Sequence, residues 1–183
     1  MYGLINKAVR QFVEQQYGTE VWEEVRRSSE IEEDGFLNFQ SYPDKVTYDV
    51  VESLSKCTGI SGSQLLEEIG VFWSVFTGAE KYKHILRLGG STFPAFVSSL
   101  NEMRTRVAEN FSDLKPPSFS TPDFQDNCFV VHYHSDRPAL LPMVVGILKG
   151  MGIRFDMIVE VEILNTKDQG HDYDEMRVTY TPP

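Results

Sequence analysis

Three polar side chains around residue 135 could bind an anion together. In the stretch "VVHYHSDRP", at 130–138, Tyr133, Ser135 and Arg137 occupy every second position. Alternate residues of a β-strand share one face, so a phenol, a hydroxyl and a guanidinium would point the same way. A guanidinium fork pairs well with a carboxylate. The spacing therefore indicates a carboxylate-binding site, although a solvated strand face would show the same spacing.

The elements that must position this stretch are helical before it and extended around it. Apolar residues recur at intervals of three and four through most of the first 110 residues, whereas alternation with a period of two follows Pro116 and Pro117. The pattern predicts helices over 4–13, 19–30, 41–57, 61–76, 80–88 and 91–111, strands over 129–135, 154–164 and 176–180, and an apolar helix over 137–152 with Pro138 in its first turn. This order predicts an α+β fold, in which a helical subdomain packs on an antiparallel sheet carrying one buried helix, with a crevice suited to a cofactor between them.

Charge and composition exclude several classes of partner. Seventeen basic and twenty-seven acidic residues give a net charge of −10, which opposes binding to nucleic acid or to an anionic membrane surface. Cys57 and Cys128 are far apart and show no CxxC spacing, so neither a disulfide framework nor a zinc site is indicated. The sequence shows no apolar signal segment and no apolar run long enough for membrane insertion. We therefore expect a cytoplasmic protein.

Several stretches together resemble the H-NOX family, the haem–nitric oxide/oxygen binding domains related to the haem domain of soluble guanylate cyclase. The resemblance runs from "MYGLINKAV" through "YGTEVWEEV", "VTYDVV", "LKPPSF", "YHSDR" and "MVVGILKGMG" to the last strand. It implies one domain over 1–183, with a distal helical subdomain at 1–60 and a proximal subdomain with the sheet at 61–183. It also implies that Tyr133, Ser135 and Arg137 hold the haem propionates. Other positions would form the walls of the cofactor pocket, although any one of them could equally be ordinary core: Ile5, Trp73, Leu100, Pro117 and Met143.

One position departs from the family pattern. The family's iron ligand is a histidine on the helix before "PPSF", and an alignment without gaps puts Arg104 there. Val97, Leu100, Val107 and Phe111 lie at helical intervals around it and would place it in an apolar stripe, with the surface as the alternative. A guanidinium only donates hydrogen bonds and offers no free nitrogen lone pair to iron. The usual metal ligand is therefore absent.

Other residues could take over the role of iron ligand. The chain has four histidines, and none is on the helix of Arg104. His132 and His134 alternate with Tyr133 and should face away from it. His84 is a weak candidate ligand, and Met103, Tyr82 and Cys57 are weaker still. Haem could also be held by its propionates and by apolar burial alone.

The expected function follows from the resemblance and from this departure. A haem-based sensor of this family would signal to a separate histidine kinase or cyclic-nucleotide enzyme rather than catalyse a reaction. The helix "PALLPMVVGIL" carries no donor side chain that could stabilise bound oxygen, so nitric oxide or carbon monoxide is the expected ligand. The alternative is a haem-free module of the same fold that binds a protein or an apolar ligand.

Overall fold

The amino-terminal part of the chain is helical, as the periodicity predicted. The computed structural model describes residues 1–32, 36–38, 40–78, 90–110, 116–122, 124–125 and 127–183, without the side chains at 76–78, 107, 108, 110 and 124. Its first five helices are α1 (Gly3–Tyr17), α2 (Thr19–Ser28), α3 (Asp44–Thr58), α4 (Gly62–Gly78) and α5 (Phe93–Asn110). The helix predicted over 80–88 lies outside the described residues.

The carboxy-terminal part is an antiparallel sheet, which confirms the predicted α+β fold. Its strands are β1 (Ser118–Ser120), β2 (Phe124–Gln125), β3 (Cys128–His134), β4 (Ile158–Asn165) and β5 (Asp174–Thr181). They are ordered β1-β3-β5-β4, and the short β2 also pairs with β3. In this register Tyr133 at the end of β3 lies opposite Asp174 at the start of β5.

The buried helix α6 (Leu141–Arg154) begins later than the sequence pattern indicated. Pro138 does not lie in its first turn, and Pro142 takes that place. The reason is local, because Ala139 has a φ of 57° and a residue in the left-handed region cannot continue a right-handed helix. Residues 135–140 therefore form a connection between β3 and α6. The prediction that this helix is buried is confirmed, since Met143, Val144 and Leu148 are all nearly inaccessible.

Helices α4 and α6 pack closely because small residues lie between them. A Cβ atom on Gly70 would come within 2.2 Å of the Met143 carbonyl oxygen, and one on Gly146 within 1.9 Å of the Glu67 carbonyl oxygen. Only glycine allows the two backbones to approach so closely. This contact holds α6 against the helical part while its other face covers the sheet.

The apolar interior forms two clusters that share α6. The first cluster lies among α1 to α4 and includes Trp22, Leu54 and Met143. The second lies between α5, α6 and the inner face of the sheet and includes Phe93 and Val178. The predicted boundary between subdomains at residues 60 and 61 stays a prediction. Within the described part of the chain, no helix is long and apolar enough to span a membrane.

Candidate functional site

The end of strand β3 buries the first residue of the candidate site. Alternation along β3 places Phe129, Val131 and Tyr133 inward. Tyr133 is only 2% exposed, and its ring lies 5.4 Å from that of Phe119. Burial, together with the nearby charge of Asp174, raises the pKa of the Tyr133 phenol, although a bond from Ser135 and the charge of Arg137 oppose this shift. The phenol is therefore held in its neutral, protonated form.

The histidines of the same strand face the opposite way, as the alternation predicted. His132 stacks on the ring of Tyr173 with centroids 4.3 Å apart, and the His134 ring lies 4.8 Å from the same tyrosine. His132 Nε2 is also 3.1 Å from a carboxylate oxygen of Glu175. These contacts occupy the outer face of the sheet, so neither histidine points toward the side of Tyr133.

Tyr133, Ser135 and Arg137 come together, but not on one strand face. Strand β3 ends at His134, so the serine and the arginine belong to the connection that follows. The side chains of Tyr133 and Ser135 are hydrogen-bonded to each other, and the Arg137 backbone N–H donates to Ser135 Oγ over 3.1 Å. The shared strand face that alternation predicted is therefore replaced by a loop that is hydrogen-bonded to the end of the strand.

A carboxylate from the helical part already pairs with the arginine. Arg137 Nε donates to Asp44 Oδ2 over 2.9 Å, and the Arg137 side chain is 19% exposed. The other oxygen of Asp44 accepts a hydrogen bond from the Met1 ammonium, which also donates to the Tyr42 carbonyl over 2.7 Å. Burial raises the pKa of Asp44, but its bonds to the ammonium and to Arg137 lower the pKa by more, so the net shift is downward. Asp44 is thus a charged bridge between Arg137 and the amino terminus.

Tyr48 adds a second connection between α3 and the β3–α6 loop. Its phenol donates to the Pro138 carbonyl over 2.7 Å. The sequence of α3 does not predict these contacts with the loop. Asp44 has the appearance of an ordinary acidic residue in the first turn of a helix, and Tyr48 that of an ordinary position on an amphipathic helix. A search for acidic residues at helix starts would find Asp44 only among several such candidates. The tertiary contact with Arg137 singles it out.

An open cleft of about 380 Å³ lies beside this network. It is lined by Ser135, Arg137, Leu140, Lys167 and Asp174, among others. Lys167 Nζ donates to the Ser135 carbonyl over 2.8 Å, which ties the loop to the β4–β5 connection. A carboxylate ligand could therefore reach the serine and the arginine from this cleft, whereas the buried phenol lies deeper.

Arg104 lies in the middle of α5 and is half-buried. Its Nε donates to the Pro116 carbonyl oxygen over 3.2 Å, just before strand β1. Val97, two turns earlier, is 1% exposed and Leu100 is half-buried against the second cluster, so the stripe that includes Arg104 does face inward at these positions. The side chains of Val107 and Phe111 lie outside the described set. Helix α5 contains no histidine, and His84 and Tyr82 also lie outside the described residues.

The predicted pocket-wall residues lie on several elements. Ile5 on α1 and Met143 on α6 both pack in the first cluster, whereas Leu100 on α5 packs on the second. Trp73 on α4 and Pro117 before β1 are half-buried. Their role around a cofactor stays a prediction.

The donor set of the site fits one part of a haem and not another. A phenol, a hydroxyl and a guanidinium are suitable partners for propionate carboxylates. The guanidinium of Arg104 offers no lone pair for iron, and it already donates to a carbonyl oxygen. The fit is therefore good for the carboxylate edge of the group and poor for the axial bond to the metal.

Comparison with curated proteins identifies relatives among the guanylate cyclases. The chain is 28% identical over 146 residues to soluble guanylate cyclase 89Da of Drosophila melanogaster, covering 80% of this chain and 22% of that protein. It is 27% identical over 166 residues to soluble guanylate cyclase gcy-31 of Caenorhabditis elegans, covering 90% of this chain and 24% of that protein. The chain thus spans about a quarter of the length of these relatives.

Solved structures of low identity share the fold over nearly the whole chain. An H-NOX protein from S. oneidensis, in the Fe(II)NO ligation state, superposes with a TM-score of 0.88 at 16% identity and covers 99% of both chains. An unliganded Fe(II) H-NOX mutant from K. algicida gives 0.85 at 20% identity, covering 99% of this chain and 97% of that one. The family model described as haem-NO-binding matches residues 2–163. The resemblance inferred from the motifs is therefore confirmed: the chain belongs to the haem-NO-binding, or H-NOX, family of sensor domains.

Proposed function

We propose that this domain binds haem by its propionates through Tyr133, Ser135 and Arg137, and that nitric oxide or carbon monoxide is the ligand it senses. The observation that carries the proposal is that these three residues lie together at the end of β3, with Ser135 hydrogen-bonded to the side chain of Tyr133 and to the backbone of Arg137. A phenol that is 2% exposed and a guanidinium that is 19% exposed are not a solvated surface. Such groups favour a specific carboxylate ligand over water.

Axial ligation in this proposal is atypical. When bound, haem supplies an iron centre that coordinates a diatomic gas. Arg104 cannot bind that iron, so the group would be held by its propionates and by apolar contacts, with His84 as the weaker candidate for a ligand. Arg104 itself would position the loop at Pro116 through its hydrogen bond.

The sequence at the start of helix α6 supports the choice of gas. Residues 140–148 read "LLPMVVGIL" and contain no hydrogen-bond donor side chain. Bound oxygen needs such a donor for stability, whereas nitric oxide and carbon monoxide do not. We therefore infer a preference for the latter two gases.

The output partner is also part of the proposal. The relatives are named as guanylate cyclases, and this chain spans about a quarter of their length. A histidine kinase or a cyclic-nucleotide enzyme would accordingly receive the signal. It would do so through a change in the contact between the helical part and the β3–α6 loop, where Asp44 and Tyr48 bridge the two.

A haem-free module is the second candidate, and two contacts favour it. Arg137 is already paired with Asp44, and Arg104 is already bonded to the Pro116 carbonyl. Both bonds stabilise the fold without a cofactor. In this case the crevice would bind a protein segment or an apolar ligand instead.

Titration with hemin separates the two candidates. The purified protein, reduced with dithionite, is scanned between 350 and 700 nm with increasing hemin, and then again after addition of nitric oxide or carbon monoxide. Saturable binding at one equivalent, with a Soret band that shifts on each gas, is the result expected for the sensor. A spectrum identical to that of hemin with an unrelated protein would exclude it and leave the haem-free module.

A further inference from the structure

We propose that the free edge of β4 and the groove beside it dock an extended segment of a partner protein in which apolar residues alternate with lysine or arginine. This proposal is independent of haem binding, because the surface lies on the far edge of the sheet from β1. It rests on three features: an unpaired strand edge, an apolar groove next to it and an excess of carboxylates around both.

The first feature is the edge of the sheet. Among the strands that the structure describes, β4 is the last in the order and pairs only with β5. Within the described part of the chain, no backbone group of residues 158–165 has a hydrogen-bond partner outside that pairing. An antiparallel strand directs the N–H and C=O groups of alternate residues to each side, so one row of β4 remains available. An unpaired row of this kind is a template for another strand.

The second feature is a groove along this edge. It has a volume of about 650 Å³ and lies between α4, α6 and β4. Val145, Val161 and Ile163 line its apolar part. The inner face of β4 becomes less covered along the strand: Val159 contacts the backbone around Gly152, while Ile163 is 47% exposed. Alternate apolar side chains of an added strand would therefore find unoccupied apolar surface here.

The third feature is charge. Glu160 and Glu162 lie on the outer face of β4, and Glu67 and Glu68 lie on the α4 wall of the groove. Two of these carboxylates are neutralised from within the domain, because Arg177 donates to Glu162 over 2.7 Å and Lys149 to Glu67 over 2.6 Å. No cation pairs with Glu160 or Glu68 among the described residues. The surface thus keeps a negative surplus, which a basic strand would complement.

The same charges argue against a second copy of this chain as the occupant. If two β4 strands paired antiparallel about an axis at Val161, Glu160 of each copy would lie opposite Glu162 of the other. Like charges in directly opposed positions destabilise a strand pair. The domain as a whole carries a net charge of −10, which adds to the repulsion.

The test uses a defined peptide as the probe. An acetylated, amidated octapeptide of alternating lysine and valine is titrated into the haem-free domain labelled with ¹⁵N, and backbone amide shifts are followed by NMR. Docking predicts saturable shifts concentrated at residues 158–165 and slower hydrogen exchange of amides on the free edge of β4. Shifts spread over the whole domain, or centred on another element, would overturn the proposal.

Two control peptides test the two sources of specificity. A peptide of alternating glutamate and valine keeps the apolar side chains and reverses the charge. A lysine–valine peptide with alternate amides N-methylated keeps every side chain and removes backbone donors. We expect each change to weaken binding by about tenfold or more. Equal binding of either control would contradict docking by strand addition.

Matched variants of the domain complete the test. Ile163→Ser removes apolar surface inside the groove without changing its charge and is expected to reduce peptide affinity by about tenfold, whereas Ile153→Ser, at a site that is 59% exposed on α6 and outside the groove, should not change it. Equal effects of the two substitutions would count against the groove. Sedimentation that showed a dimer of the free domain, lost in Ile163→Ser, would identify a second copy as the occupant and overturn the proposal.

Discussion

The end of strand β3 and the middle of helix α5 differ in how far each is suited to haem. At the end of β3 the polar groups suited to a propionate are a buried phenol, a half-buried hydroxyl and a half-buried guanidinium. Ser135 is hydrogen-bonded to the side chain of Tyr133 and to the backbone N–H of Arg137. On α5 the residue at the position expected for the iron ligand is an arginine bonded to the Pro116 carbonyl. The two regions belong to one fold, and only the β3 region offers side chains whose chemistry suits the proposed cofactor.

Under the proposed function, recognition of the porphyrin edge and ligation of the iron are separable. The edge would be recognised by side chains on a loop that the sheet and α3 hold in place, whereas the metal would depend on a single atom from one helix. Arg104 and Arg137 make their bonds to different partners, so we expect a substitution at Arg104 to leave the β3 region undisturbed.

The largest effect is expected from Arg104→His. An imidazole at this position would provide the lone pair that the arginine lacks, so we expect hemin affinity to rise by about 100-fold or more. The measurement is the rate of hemin transfer to apomyoglobin, with the Soret spectrum as a second readout. Arg106→His places the same imidazole on an exposed face of α5 and is the control. No gain in Arg104→His relative to Arg106→His would contradict the assignment of this position.

The next largest effect is expected from Arg137→Ala. Loss of the charged donor to a propionate should weaken hemin binding by about tenfold, since hydrogen bonds to charged groups contribute about 1.5 to 3 kcal/mol. Arg137→Lys keeps the positive charge but loses the two-pronged geometry of the guanidinium. Its hemin affinity should therefore lie between those of the wild type and Arg137→Ala. Hemin titration in the Arg104→His background makes the loss measurable. If Arg137→Ala left affinity unchanged in that background, the propionate role would be wrong.

A smaller effect is expected from Tyr133→Phe. The ring stays in the second cluster, where it is 2% exposed, and only the hydroxyl is removed. A neutral hydrogen bond contributes about 1 kcal/mol, so hemin affinity should fall by about fivefold. The same titration measures it, with Tyr173→Phe on the opposite face of the sheet as the control. A loss of the same size in both variants would show that the phenol of Tyr133 has no special role.

The smallest effect is the acid dependence of stability that Asp44 contributes. Its pKa is lowered below the ordinary value of 3.8, so its contribution is present above about that pH and is lost as the pH falls through the lowered value. Asp44→Asn should therefore make the urea midpoint less sensitive to pH below the ordinary carboxyl value of 3.8. Asp49→Asn, which breaks an exposed pair with Lys45 on the same helix, is the control. If the urea midpoints of wild type and Asp44→Asn depended on pH in the same way, the stabilising role assigned to Asp44 would be wrong.

Local patterns were sufficient for most secondary structure and for the fold class. Periods of three to four and of two identified the helices α1 to α5 and the strands β3 to β5, because burial of one face imposes those periods. The start of α6 was predicted too early. The sequence places Pro138 where a proline in the first turn of a helix would be. The neighbouring residues give no sign that Ala139 adopts a positive φ, which delays the start of the helix. The crossing of α4 and α6 at Gly70 and Gly146 also could not be predicted, since a glycine does not reveal what it approaches.

The candidate site divides in the same way. Residue identity alone specifies which groups are donors and that Arg104 offers no lone pair, because these are properties of single side chains. Only the tertiary structure decides that Asp44 pairs with Arg137 over 2.9 Å, and that Tyr48 reaches Pro138, because both contacts join residues about 90 positions apart. The chemical properties of single side chains and their local spacing can be read from the sequence. Hydrogen-bond partners so distant along the chain are determined by how the helical part packs against the sheet.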